Sequence, residues 1–428
     1  MDIDLVDILL FVNYLALVLF NVCYSYQYLF FVISLLVKDK PLQEAKKNHR
    51  YGVLIAARNE EVVIAQLINS IKAQDYPQDL VDVFVIADNC TDNTAQKARE
   101  AGAIVYEREN AAEIGKGYAL DALLGHIMQE HWDKGHEGFM VFDADNVLDK
   151  NFIKEMNKLF DQGYRILTSY RNCKNFSDNW ISAGYALNFI RDAHFMNKAR
   201  MRLGTPCVIS GTGYLLHRDI VEEGEGWKYY LLTEDAQFTA EMILKGERIG
   251  YCGSAMLYDE QPTSLRQSWT QRLRWMRGFY QVLGKCGPRL VRGVFSKRWF
   301  SCFDMLMQVI PAAVLTLIST LAAGSSFAIG ILSAPFGMTA LLNVLWNMAR
   351  TIIGIYGLFF VMGLVIVITQ WAKIHGHWRY KIGYLFTSPI YMLTYMPISL
   401  MAIFKKVQWT PIRHVVSKSI EDVQQRTL

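Results

Sequence analysis

The chain has 428 residues, 52% of them hydrophobic, with 44 Lys and Arg against 40 Asp and Glu for a net charge of +4. That length holds one domain of ordinary size and something more. The basic excess sits beside apolar segments, which points to anionic headgroups and a phosphate-bearing substrate and away from nucleic acid; the seven cysteines lack metal-type spacing and read as unpaired thiols.

Val6 to Val37 is almost uncharged and long enough to cross a bilayer with tilt. The acidic N-terminus (Asp2, Asp4, Asp7), the length of the run and the lack of a small-residue cleavage site argue against a cleavable signal peptide. Lys38, Lys40, Lys46 and Lys47 follow, so the positive-inside rule puts the N-terminus outside and residue 40 onward in the cytoplasm.

From Tyr51 to about Gln261 strand and helix patterns alternate, which argues for an α/β sheet with parallel strands. Tyr51 to Ala57 reads as a strand, followed by Arg58-Asn59-Glu60-Glu61 and a helix with apolar Val63, Leu67, Ile68 and Ile71; Asn59 suits its cap. Val81 to Ala87 reads as the second strand, with Asp88 at its end and Thr91 or Asp92 capping a helix that stops at Gly102. Ala103 to Glu107 reads as the third. Gly115-Lys116-Gly117 then opens a helix, where glycines, helix terminus and lysine all favour an anion, without the spacing of a nucleotide-hydrolase phosphate loop.

Phe139-Met140-Val141-Phe142 runs straight into Asp143-Ala144-Asp145. On a strand, carboxylates at i and i+2 project together, here from the carboxyl end where open sheets bind ligands. A hard divalent cation carrying phosphate oxygens relieves their repulsion. Alone, the pair reads more readily as a solvated loop after a strand.

Ser210-Gly211-Thr212-Gly213 marks either a tight turn or a backbone passing close to something. Thr233-Glu234-Asp235 precedes a helix from about Ala236 to Leu244, with Thr233 as cap; catalysis there needs one metal-free carboxylate as general base. Ser264 to Leu283 reads as an amphipathic helix with Leu265, Trp269, Leu273, Met276 and Tyr280 on one face and Arg266, Arg272 and Arg277 for headgroups. Gln271, Arg274 and Trp275 share a separate face. Arg beside Gln suits a diphosphate, and the indole suits the apolar face of a sugar ring.

Apolar spans follow near 303–332 and 345–371. A third stretch, Gly383 to Phe404, contains Pro389 and Pro397 and is basic on both flanks: Lys373, Arg379 and Lys381 before, Lys405, Lys406 and Arg413 after. It reads equally as a re-entrant segment, an interfacial one or a span count off by one.

Ala57-Arg58-Asn59-Glu60, Asp88, Gly115-Lys116-Gly117, Asp143-Ala144-Asp145, Thr233-Glu234-Asp235 and Gln271-Arg272-Leu273-Arg274-Trp275 stand in an order that resembles the family 2 membrane glycosyltransferases, which include cellulose, chitin, hyaluronan and poly-N-acetylglucosamine synthases. The resemblance implies an α/β GT-A (Rossmann-like) cytoplasmic domain at 48–262 joined to an α-helical transmembrane domain. The latter comprises a leading helix at 1–40, interface helices at 263–300 and transmembrane or re-entrant helices at 301–404, with a tail at 405–428. It implies a multi-pass plasma-membrane enzyme that uses a UDP-sugar, glucose favoured, with Mg2+ or Mn2+ and inversion, to extend a β-glycan; a UDP-N-acetylglucosamine synthase or a lipid-directed transferase are the alternatives.

Carried over by residue, Ala57, Glu60 and Asp88 would hold uridine, with Lys116 and Asp143 along the nucleotide and diphosphate. Asp145, with Asp143, would bind the metal. Asp235 would be the base, with Glu234 beside it. Gln271 and Arg274 would grip the diphosphate. Trp275 and the Gly211-Thr212-Gly213 turn would line the acceptor site, and a helix at about Asn188 to Arg202 would touch the acceptor's terminal sugar. Only 24 residues follow Phe404, too few for a regulatory barrel, and Trp409 is placed to cover the mouth of the site.

Overall fold

The computed structural model describes residues 5–39, 41–309, 338–412 and 414–425, with a few positions between 321 and 328. Eight strands, β1 (Tyr51–Ala57), β2 (Val81–Asp88), β3 (Ile104–Arg108), β4 (Gly138–Asp143), β5 (Val147–Leu148), β6 (Ile166–Cys173), β7 (Tyr214–His217) and β8 (Ile249–Asp259), form one sheet in the order β3-β2-β1-β4-β7-β6-β8-β5. Alternate residues of β1 feed two cores. Val53 and Ile55 join α2 (Ile64–Lys72) and α5 (Phe152–Phe160) on one face. Leu54 joins α4 (Lys116–Glu130) on the other. Burial on both faces is why β1 and β4 are unbroken apolar runs.

β1 lies parallel between β2 and β4, with Ala57 beside Ala87 and Ala56 beside Asp143. Ala57, Asp88 and Asp143 therefore finish together at the carboxyl edge, the ligand-binding edge of such sheets. The expected parallel sheet is mixed: β7 runs antiparallel to β4 and β6, and β5 to β8. β7 has four residues and β5 two, too few to show a strand period. β4 stops at Asp143, so Asp145 reaches the edge through a turn and not through the strand repeat.

Two expected caps are absent. Val63 occupies the α2 cap, and Asn59, at φ 58°, accepts from the Thr91 amide at 2.7 Å instead. Thr233 makes no side-chain bond to α9 (Glu234–Lys245). Asp92 does accept from the Thr94 amide at 3.0 Å, at the start of α3 (Thr94–Glu100).

Among the described residues three segments are long and apolar enough to cross a membrane: Tyr14–Leu36, Ile352–Thr369 and Trp378–Phe404. They belong to α1 (Leu5–Leu36), α12 (Met338–Thr369) and the pair α13 (Trp378–Leu393) and α14 (Tyr395–Phe404). The last pair stays helical through Pro389, with its break at Thr394. The expected span at 303–332 begins in α11 (Trp299–Val309); most of it, and Arg413, lie outside the described residues.

The amphipathic helix is α10 (Leu265–Val294), and its apolar stripe meets protein. Trp269, Leu273, Met276 and Tyr280 pack on Ile398 and Ala402 of α14. Two of the arginines expected at headgroups point inward as well. Arg272 is fully buried, donates to the Thr394 hydroxyl at 2.6 Å and stacks over Tyr391. Arg277 donates to the Ala402 and Ile403 carbonyls. Helix-end carbonyls and a hydroxyl are what a buried guanidinium needs, so both clamp α10 to α13 and α14.

A second clamp joins α7 (Lys198–Leu203) to α11. Arg200 meets Asp304 through two bonds of 2.7 and 3.0 Å, and Tyr26 of α1 donates to the same carboxylate at 2.8 Å. Both members of the pair are buried. Asp304→Ala strands the Arg200 charge, so we expect about 3–5 kcal/mol of lost stability. An unchanged thermal midpoint for the detergent-purified variant would show that the pair carries no such weight.

Candidate active site

The strand edge opens into a cavity of about 1910 Å³. Of the site residues nominated from the sequence, Ala57, Glu60, Asp88, Lys116, Asp143, Asp145, Gly211, Glu234, Asp235, Gln271, Arg274 and Trp275 all line it. Thr212 and Gly213 do not. The Thr212 hydroxyl accepts from the Asp143 amide at 3.0 Å and donates to Asn146, so it fixes the turn after β4 from behind.

Lys116 follows Gly115, whose φ of 138° few other residues tolerate, and its ammonium pairs with Asp143 and donates to the Gly211 carbonyl at 2.6 Å. One lysine thus ties the start of α4 to the carboxylate edge and to the glycine turn. Asp88 is buried and already held by Arg108 at 2.6 Å. Asp145 is buried too; its Oδ2 accepts from the Glu260 amide at 2.9 Å and faces His414 Nε2 at 3.9 Å. Burial works to raise this carboxyl, but the charges of His414 and Lys174 and the Glu260 amide outweigh it, and it sits below the ordinary range.

Glu234 and Asp235 open α9. Burial, with the neighbouring Asp235 charge, pushes Glu234 up to about 7. Burial also raises Asp235, partly offset by the Ala236 amide, Lys116 and Arg171. A Cβ added at Gly211 would lie 3.7 Å from Asp235 Oδ2, so the glycine leaves the approach to that oxygen open.

On α10, Gln271, Arg274 and Trp275 share the cavity face as their spacing requires. Trp275 stands edge-on to Tyr185 and packs on Phe189 of α6 (Trp180–Ile190), with ring centres 5.8 and 6.0 Å apart. Arg58 Nη1 and Gln271 Oε1 are buried without a partner among the described residues. Buried polar atoms of this kind fit an anionic, hydrogen-bonding ligand.

Four contributors escaped the sequence reading. Arg171 donates to Asp259 at 2.6 Å and to the Ser210 carbonyl at 2.7 Å, and lies 3.7 Å over the Phe189 ring. Glu260 receives the Val415 and Val416 amides, each at 3.0 Å. His414 bonds Glu60 at 2.9 Å. Burial lifts Glu60 to about 7, whereas the Asp145 and Glu60 carboxylates overcome burial and hold His414 at about 10. Asp259-Glu260 carried a legible signal, the same strand-end acid that singled out Asp88. Arg171 and His414 carried none. The tail also brings Trp409 between Arg58 and Arg274, at 5.2 and 5.6 Å, beside Gly115.

Among the described residues no three His, Cys, Asp or Glu side chains gather into a metal-sized group. Mg2+ typically uses one or two carboxylates and completes its shell with phosphate oxygens and water. Asp145, ionised and at the cavity wall, with Asp143 two residues away, fits that partial donor set. A metal held here would need the diphosphate to complete its shell.

Gly213 tests how rigid the turn must be. At φ 67°, a Cβ there would meet Leu257 Cδ2 at 2.0 Å and Ser169 Oγ at 2.5 Å. Gly213→Ala should lose at least the ~1–2 kcal/mol of a left-handed backbone, and activity should fall with stability, because the turn holds Thr212 against Asp143. A variant with unchanged thermal midpoint and turnover would refute this.

The Glycosyltransferase like family 2 model matches residues 49–278. The chain is similar to the beta-monoglucosyldiacylglycerol synthase of Nostoc sp., 28% identical over 270 residues, 62% of this chain and 56% of that protein. It is similar also to the poly-beta-1,6-N-acetyl-D-glucosamine synthase of Staphylococcus epidermidis, 24% identical over 263 residues, 58% of this chain and 60% of that one. The chain spans little more than half the length of these curated relatives. Its fold is similar to that of the mannosyltransferase PcManGT from Pyrobaculum calidifontis, solved with GDP-Man and Mn2+: TM-score 0.57 and 15% identity, covering 92% of this chain and 100% of that one. At that identity the likeness speaks for the GT-A fold alone. With more than half of its length matched by the family model, the chain belongs to glycosyltransferase-like family 2.

Proposed function

We propose that the chain is an inverting hexosyltransferase that moves a sugar from a UDP-sugar, UDP-glucose favoured over UDP-N-acetylglucosamine, to an acceptor hydroxyl at the cytoplasmic face of the plasma membrane. The observation that supports this most is the meeting of Asp145, Asp235, Arg274 and Trp275 on one cavity from three distant parts of the chain. Asp235 takes the proton of the acceptor hydroxyl as that oxygen attacks the anomeric carbon. The bond from this carbon to the β-phosphate oxygen breaks, and its electron pair leaves with UDP. Burial strengthens Asp235 as a base. Arg274 and Lys116 line the cavity where negative charge builds on the diphosphate, and charge-assisted bonds there strengthen in the transition state. Asp145 and Asp143 would hold Mg2+ or Mn2+, which neutralises part of that charge when bound. Ala57, Glu60 and Asp88 line the nucleoside end.

For the acceptor, the motif set ending at Gln271 to Trp275 and the likeness to a poly-N-acetylglucosamine synthase support extension of a β-linked glycan, cellulose-like or of mixed linkage, fed processively across the membrane. A second reading, one transfer to a lipid, is favoured by the cavity itself. Beyond Trp275 its wall turns to Met276, Phe279, Met362 and Val365, and one matched relative is a monoglucosyldiacylglycerol synthase.

Asp145→Asn and Asp235→Asn should each abolish UDP release from every UDP-sugar while the fold stays intact. Isothermal titration should find metal-dependent UDP binding lost in the first and kept in the second; equal losses would reverse the assignment of roles. In the unsubstituted protein, kcat should fall as pH drops through an apparent pKa above the free-carboxylate value of about 3.9, because the base works deprotonated and its pKa is raised. An acid limb at or below that value would remove Asp235 from the role.

A further inference from the structure

We propose that the outer half of the cavity binds the hydrocarbon chain of a membrane-lipid acceptor, whose hydroxylated head lies between Asp235 and the Arg191–Asp192 pair. This rests on the transferase reading above and names its acceptor class.

One continuous helical stretch sets the path. Phe189, at the end of α6, lies under Arg171 and against Trp275. The chain then winds as a π-helix, Arg191–Asn197, into α7. Wide turns of this type are uncommon and cluster at functional sites. Phe195 of this turn stacks on Phe31 of α1 with ring centres 4.5 Å apart, and its carbonyl accepts from Ser34 at 2.6 Å. The stretch therefore runs from Arg171 and Trp275 at the cavity to an apolar helix long enough to cross a membrane. Arg191 and Asp192 lie between the two ends, bonded to each other at 2.7 Å, partly exposed and lining the cavity.

The wall changes chemistry along that path. Near Asp235 it is charged. Away from Asp235 the lining is mainly apolar, with Val32 and Leu35 of α1, Leu358 and Met362 of α12, and Met392 and Met396, although Asn21, Tyr28, Gln308 and Arg350 line it too. Of the polar side chains there, Tyr24 donates to the Met307 carbonyl at 3.2 Å and Gln27 to the Tyr26 hydroxyl at 3.3 Å. A polyhydroxylated chain lying on aliphatic walls would give up water without new partners. A hydrocarbon chain gains from the same surface, and flexible thioethers adapt to its shape. Val32 and Leu35 line the cavity and remain 49% and 48% exposed. A molecule with a sugar-accepting head and an apolar tail matches both halves of the cavity.

The test uses the full chain in phosphatidylcholine nanodiscs with UDP-glucose and Mg2+, and compares dipalmitoylglycerol, dioctanoylglycerol and soluble cello-oligosaccharides as acceptors. The lipids should be glucosylated. Val32→Trp and Leu35→Trp narrow the outer chamber and should raise KM for dipalmitoylglycerol about tenfold, the low end of what a mis-sized apolar pocket costs, with dioctanoylglycerol and UDP affinity little changed. Should either Trp variant lose UDP affinity through misfolding, Val32→Ala and Leu35→Ala serve instead and should raise KM for the longer lipid alone. Asp192→Asn, at the shared head, should raise KM for both lipids alike. Lipid glucosylation that is indifferent to chain length and to these variants would overturn the inference and leave the transferase reading standing. Extension of the oligosaccharides with no lipid product would replace the lipid with a glycan. Absence of UDP release with every acceptor, from UDP-N-acetylglucosamine as well as from UDP-glucose, would overturn the transferase reading itself.

Discussion

Glu60, Asp143, Asp145, Glu234 and Asp235 line one cavity, with Glu260 among them and Asp259 behind. Carboxylates so crowded and so poorly hydrated cannot all stay charged. The structure resolves this in two ways. Some acids receive a cation: Lys116 pairs with Asp143, Arg171 with Asp259, His414 with Glu60. Burial pushes acids up as well, the paired Glu60 and Asp259 to about 7 and about 6, and Glu234 to about 7. Asp145 goes the other way and is held ionised. Environments that drive neighbouring acids apart mark out their roles. The lowered Asp145 suits a cation, and the raised Asp235 suits proton transfer.

The neutralising groups come from far apart in the chain, so the balance exists only in the complete fold. His414 lies 354 residues from Glu60. It reaches the site because the Glu260 carboxylate pins the tail through two consecutive amides and because Val423, on the short helix Ile420–Gln425, is buried beside Val147 and Tyr258. Trp409, stacked between two arginines, closes the same side. The tail is thus one wall of the site, in keeping with the placement of Trp409 expected from the sequence.

What could be read in advance follows from where each signal lives. Buried strands followed by acids announce themselves locally, so Asp88, Asp143 and the edge they share were visible in the order of residues. Gln271, Arg274 and Trp275 were visible through helical spacing. The mixed sheet was not, because β5 and β7 are too short to show a period. The inward turn of Arg272 and Arg277 was not, because an arginine on a helix looks alike whether it meets a headgroup or a carbonyl; Tyr391, Thr394 and Ala402 decide it, more than a hundred residues on. Thr212 looked like an acceptor contact because a Gly-Thr-Gly turn shows that the backbone passes close to something without showing what, and here that neighbour is the back of β4.

α10 joins these levels. Gln271, Arg274 and Trp275 face the cavity, while Leu273 and Tyr280 fasten the same helix to α14. One turn further, Gly278 comes so close to Thr233 that an added Cβ would lie 2.5 Å from its methyl. Thr233 immediately precedes Glu234 and Asp235. A shift of α10 therefore presses on the start of α9, where Asp235 stands. In a close-packed interior such contacts transmit displacement rather than absorb it. α14 is thus packed, through α10 and one glycine, against the turn that carries Glu234 and Asp235.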